Sequence, residues 1–234
     1  MIEFRPFGSL HWATLALTAV VTVAVTMAGR RHERWRKWML RGLACGLAFS
    51  IGGVVFHFLE NGGGFDWRAL PLHLCDITVA LAAGAVLTRR QWLYELAYFF
   101  GLAGGSQAML TPDLGGAMAW WRFAIFFGAH ASVIVAVIFL TGACGMRPRP
   151  NAVWRAMGGL AAYTVFAALV NWAVDANFGY LREKPTQSSV LDHLGEWPWY
   201  IGGMGALALL SFSLLYAPFY LRNRRKAQET PRGK

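Results

Sequence analysis

Residues 120–142 read WWRFAIFFGAHASVIVAVIFLTG. One basic residue, Arg122, sits in the first turn, and from Phe123 onward no side chain carries a fixed charge. A helix of this length rises about 35 Å, enough to cross the roughly 30 Å hydrocarbon core of a bilayer. Six further stretches of similar character flank it, at 10–28, 39–59, 70–88, 92–111, 152–174 and 198–220. The pattern predicts an all-α, polytopic membrane protein with seven transmembrane helices. Residues 1–221 form a single transmembrane domain, and 222–234 read as a disordered, basic cytoplasmic tail.

Composition agrees. Of 234 residues 56% are hydrophobic and 15% charged, with a mean hydropathy of +0.39; an ordinary soluble domain carries about 25% charged residues. Lipid solvates the apolar surface that a soluble chain of this size would have to hide. The first stretch reads as a retained helix rather than a signal peptide, because its apolar core is too long and a dense basic cluster follows it.

The net charge of +10 is not read as a nucleic-acid footprint, since the basic residues lie between apolar stretches. Of the 22 Lys and Arg, 17 fall in the connections 1–2, 3–4 and 5–6 and in the tail. The other 5 are Arg5, Arg68, Arg122, Arg182 and Lys184. The positive-inside rule then predicts the N-terminus outside and the C-terminus in the cytoplasm. That orientation fits a multi-pass protein of a cell membrane.

Ionisable groups inside spans are costly and point to function. His57 and Glu60 close span 2 on the outer side, His73, Cys75 and Asp76 open span 3, and Gln107, Thr111 and Asp113 close span 4. Asn171 and Asp175 close span 6, and Glu196, Trp197, Trp199 and Tyr200 open span 7. His130 lies about 15 Å down span 5. The inner half holds little beyond Glu95, which reads as a partner for loop arginines. An outer-half pocket is therefore predicted. For several members a structural role competes: Asp76 and Asn171 as interhelical hydrogen-bonders, and Trp197 and Tyr200 as an aromatic belt.

Cys45, Cys75 and Cys144 show no metal spacing, and an odd number cannot pair fully. Cys45 and Cys144 read as inert apolar residues. Cys75 sits among His73 and Asp76, and a thiol becomes a strong nucleophile when a base takes its proton. On a regular helix His73 and Cys75 point apart while His73 and Asp76 share a face. Asp76 could then orient His73; unless Pro71 unwinds that end and lets His73 serve Cys75, the base is sought on another helix, at His130 or His57.

At these residues the chain resembles a known family. Leu70-Pro71-Leu72-His73-Leu74-Cys75 looks like the signature of the YwaF-like integral membrane proteins of bacteria, relatives of the animal transmembrane protein 164. Further matches follow in order: Tyr94-Glu95-Leu96-Ala97-Tyr98-Phe99-Phe100-Gly101-Leu102 with Gln107, Leu110-Thr111-Pro112-Asp113-Leu114, His130, and Asn171. After these come Asn177-Phe178-Gly179-Tyr180-Leu181, Lys184-Pro185, and Leu194-Gly195-Glu196-Trp197-Pro198-Trp199-Tyr200. The resemblance implies a bacterial inner-membrane protein that moves an acyl chain from a phospholipid to a lysophospholipid, with Cys75 as nucleophile and His130 as base. No cofactor and no metal are expected. His57, His73, Asp76, Gln107, Asp113, Asn171, Trp197 and Tyr200 become supporting or substrate-binding residues.

Two rival readings stand beside it. His57, His73, Asp76 and His130 supply ligand types for a metal-dependent membrane lipid hydrolase. An outer pocket on seven spans also describes a non-enzymatic sensor or carrier, although a short tail and one-sided polarity fit that poorly.

Overall fold

The computed structural model describes residues 1–60, 67, 70–114 and 117–229, without the side chains at 54, 57–60, 117, 226, 227 and 229. Among the described residues seven helical rods follow one another: α1 (Ser9–Arg31), α2 (Glu33–Glu60), α3 (Leu74–Thr88), a composite of α4 (Gln91–Phe99) and α5 (Ser106–Leu110), α6 (Trp120–Gly142), α7 (Ala152–Val174) and α8 (Trp199–Glu229). A two-residue strand β1 (Ile2–Glu3) pairs antiparallel with β2 (Ala117–Met118). Four helices, Ser9–Arg31, Trp120–Gly142, Ala152–Val174 and Trp199–Arg225, are long and apolar enough to cross a membrane. Together they make this a multi-pass membrane protein.

Three boundaries differ from the sequence reading. Span 3 was read from residue 70, but the helix begins at Leu74. Pro71 disfavours helical backbone in the residue before it, and the Asp76 carboxylate accepts the His73 amide at 3.1 Å, closing the helix start there. Span 4 is not one helix: a π segment, Phe100–Gly105, separates α4 from α5. The last helix runs through Glu229, into the tail that the sequence reads as disordered.

Helix α6 is the hub, packed against α1, α2, α3 and the α4–α5 rod. Close approach there depends on glycine. A Cβ on Gly101 would meet Val133 Cγ1 at 2.5 Å and Thr78 Cγ2 at 3.7 Å, so α3, the π segment and α6 converge on that position. The core around it is aromatic and small, with Tyr94, Phe99, Phe139, Leu140 and Phe212 fully or nearly fully buried.

One end of the bundle is tied by Glu95, only 1% exposed. Its carboxylate accepts from Arg149 Nε and Arg155 Nε, both at 2.9 Å, from the Arg149 amide at 2.9 Å and from Gln91 at 3.1 Å. The expected pairing of Glu95 with loop arginines is present. The adjacent Tyr94 hydroxyl bonds to Thr141 and the Met146 carbonyl, at 2.8 and 3.2 Å.

The opposite end holds a histidine that the sequence reading passed over. His11 is fully buried. Its Nδ1 accepts the Phe7 amide at 2.8 Å, so Nε2 carries the proton and donates to the Met109 carbonyl at 2.6 Å. Phe4, Phe7 and Phe127 surround the ring. His11 thus fastens the start of α1 to an end carbonyl of α5.

Candidate functional site

The site is built at the beginning of α3. Leu74, Cys75 and Asp76 are its first three helical residues, with His73 as N-cap in extended backbone. First-turn amides of a helix have no intrahelical partner and present a partial positive charge. Cys75 is exposed, and its Sγ lies 3.9 Å from Asp76 Oδ1. Asp76 Oδ2 holds the His73 backbone amide. The expectation that Asp76 orients the His73 ring from a shared helix face is therefore corrected. His73 lies outside the helix as its N-cap, and its ring packs edge-on to Phe178 at 5.4 Å and against Tyr180 at 5.8 Å. The Leu72 carbonyl, left outside the helix, accepts the Tyr163 hydroxyl at 3.2 Å.

A loop between α7 and α8 covers this entry. Asn171, 2% exposed, both donates to and accepts from Phe178 backbone, at 3.0 and 2.7 Å. Gly179 turns the chain at φ +69, and a Cβ there would press on Tyr163 Oη at 3.0 Å. Tyr180 is the hub of the loop. Its hydroxyl donates to Asp113 Oδ2 at 3.1 Å and its carbonyl accepts from Tyr200 at 2.7 Å. Asp113 Oδ1 also accepts from Thr186 and from the Gln187 amide. Burial first, and the Asp113 charge second, push the Tyr180 phenol well above its usual range, so it stays a donor. The structure thus brings His73, Asp76, Asp113, Asn171 and Tyr200 together around the Cys75 entry through one loop. Asn171 and Tyr200 hold loop backbone, not a neighbouring helix or a membrane interface.

His130 approaches from α6. Only 7% exposed, it places Nδ1 2.8 Å from the Phe126 carbonyl and packs at a tilt against the Phe126 ring with centroids 4.5 Å apart. A carbonyl can only accept, so Nδ1 carries the proton and Nε2 keeps its lone pair. Among the described residues Nε2 has no hydrogen-bond partner. Its depth follows from Gly101. Cys75 is one turn before Thr78, and His130 is one turn before Val133, the two side chains that close on that glycine. Helices α3 and α6 pack against each other, so thiol and imidazole stand on neighbouring helices. No hydrogen bond joins them among the described residues.

The remaining candidates stand apart. Gln107 donates to Thr111 at 2.8 Å, four residues along its own rod. Trp197 is largely exposed, and its indole donates to the Leu181 carbonyl at 3.2 Å. The His57 side chain lies outside the described residues. Cys45 is exposed and Cys144 partly buried. Among the described residues no three or more His, Cys, Asp or Glu side chains gather as a metal-binding group.

The sequence reading missed Tyr163 and Tyr180. Tyr180 lay inside the quoted Asn-Phe-Gly-Tyr-Leu run, and a tyrosine following a glycine turn was the available signal. Nothing local marks Tyr163, which acts through a carbonyl 91 residues away.

Comparison with curated proteins and with solved structures returned no match. The family comparison did: residues 6–216 match the TMEM164 family across nearly the whole chain, site included, and the protein belongs to that family.

Proposed function

We propose that this protein is a membrane lipid acyltransferase of the YwaF-like bacterial branch, with seven spans, its N-terminus outside and its C-terminus in the cytoplasm. Its substrates are phospholipids and lysophospholipids of the cell membrane. One observation carries the reading: an exposed thiol opens α3, and His130 on the adjoining α6 keeps its Nε2 lone pair uncommitted.

In the proposed reaction His130 Nε2 accepts the Cys75 proton, and the thiolate attacks an ester carbonyl of a phospholipid. The oxyanion is met by first-turn amides of α3. The carbon–oxygen ester bond breaks, the leaving alkoxide takes the proton from His130 and departs as a lysophospholipid, and Cys75 carries the acyl group as a thioester. A second lysophospholipid gives its hydroxyl proton to His130 and attacks the thioester; the carbon–sulfur bond breaks, and the departing thiolate takes that proton to restore the Cys75 thiol. The Phe126 carbonyl supports this by fixing the tautomer that leaves Nε2 free.

A second reading has its own support. The Asp76 carboxylate, 3.9 Å from Sγ, opposes a thiolate, which favours a lipid-binding site without turnover. The discriminating experiment treats native membranes with a lipid-like thiol-reactive probe and reads intact mass. The acyltransfer reading expects selective modification of Cys75 over Cys45 and Cys144, slowed strongly in His130→Ala. Equal rates at all three cysteines would sink it.

A further inference from the structure

An open groove in the described structure lies away from Cys75. A groove of about 630 Å³ runs between α1, α2 and α6, within the size range of ligand sites. Along α1 it extends from Thr14 to Val25, about 16 Å, close to the depth of one leaflet's hydrocarbon. Its walls are apolar, and the hydroxyls of Thr14 and Thr18 are turned back onto carbonyls of their own helix, at 2.8 and 2.9 Å. Those hydroxyls therefore make no demand on an occupant.

The groove is kept open by glycines. Gly42 on α2 and Gly128 on α6 both line it, and a Cβ on either would meet nothing within 4 Å. These two are unlike Gly101 or Gly29, whose missing side chains let neighbours pack closely. Here the absent side chains leave volume.

One end of the groove is marked by charge. Trp35 and Trp38 line it there, and Arg41 lies over the Trp38 ring at 4.9 Å. Arg34 precedes Trp38 by one turn, on the same helix face as Arg41. Among the described residues neither arginine pairs with a carboxylate, whereas the neighbouring Arg36 and Lys37 share Glu33. An apolar slot one leaflet deep, ending at tryptophans and two carboxylate-free arginines, matches an acyl chain joined to a phosphate.

We propose that the α1–α2–α6 groove binds one acyl chain of an anionic phospholipid, with its phosphate at Arg34 and Arg41. This site is separate from the thiol and does not depend on the acyltransfer reading.

The test uses the full-length protein in detergent, offered phosphatidylglycerol and phosphatidylcholine in equal amounts, with bound lipid counted by native mass spectrometry. The expected result is one retained phosphatidylglycerol, preferred on the order of tenfold, as two arginines at a membrane surface would give. Gly42→Leu fills the groove without meeting a neighbour and should lose that lipid while its thermal melt stays near wild type. Gly128→Leu does the same from the opposite wall. Arg34→Gln with Arg41→Gln should keep a bound lipid and lose the headgroup preference. Cys75→Ala should bind as wild type, which separates this site from the proposed active site. Wild-type retention in both glycine variants, or no headgroup preference in the wild type, would overturn the proposal. So would dimer loss in Gly42→Leu, which would assign the groove to a second copy of the chain.

Discussion

The Tyr180 hydroxyl donates to the Asp113 carboxylate at 3.1 Å, across 67 residues of sequence. That bond joins the end of the α4–α5 rod to the loop lying over the start of α3. Asp113 takes two further donors from the same loop. Its replacement by Ala should strand the part-buried Tyr180 hydroxyl while the exposed Thr186 and Gln187 donors turn to water, at a cost of about 1 kcal/mol, felt in the loop more than in the bundle. The expected outcome is faster hydrogen exchange across residues 176–193 with unchanged exchange in α6. Slowed or unaltered exchange in the loop would contradict the assignment.

Gly101 sets the spacing between α3 and α6. Gly101→Ala should overpack against Val133 and destabilise by about 1–3 kcal/mol, read as a lowered melting temperature in detergent. Val133→Ala in the same chain should recover most of the loss. Purely additive losses would mean that the contact does not set the spacing.

Glu95 is buried, while its partners Arg149 and Arg155 are about half exposed, at 51% and 41%. Removing the carboxylate leaves two cations that can turn to water, so Glu95→Gln should cost about 1–3 kcal/mol rather than the larger penalty of a fully buried orphan charge. Arg149→Ala, which leaves Arg155 in place, should cost less. A melt that ranks these variants the other way round would refute the account.

Asp76 has two effects that oppose each other. It closes the start of α3 through the His73 amide, and it sets a negative charge beside Cys75. Asp76→Asn keeps an acceptor for the amide and removes the charge. Alkylation of Cys75 should then quicken by up to about tenfold while the melt moves little. Slower alkylation would show that the carboxylate assists the thiol.

The proposed orientation has a direct check. A cysteine at position 189, in the loop between α7 and α8, should react with a membrane-impermeant thiol reagent added to intact cells. A cysteine at position 224 should react only after the membrane is opened. The reverse pattern would invert the topology.

Helices were the most legible part of the chain, because each reads as an apolar run long enough to be placed without tertiary information. Glu95 was legible too: a lone carboxylate near several arginines has few alternatives. The entry to α3 was less so. Pro71 announced a disturbance there, but that His73 would leave the helix depended on Asp76 accepting its amide. Tyr163 and His11 act on carbonyls distant in sequence, so their roles appear only after folding. The π segment carries glycines that resemble ordinary small-residue packing, and nothing in the local sequence reveals the extra residue in its turns.

That extra residue changes what the rod presents. A π turn holds more residues than an α turn, so side chains after Gly105 are rotated relative to a straight continuation of α4. Tyr94 and Glu95 engage the arginine loop at one end, while Met109 meets His11 at the other. The rod is a shaft with a built-in phase shift. Each half keeps its own angular register toward the rest of the bundle, and deleting one residue between 100 and 105 would bring the two halves into the same phase and turn the Asp113 end away from its loop.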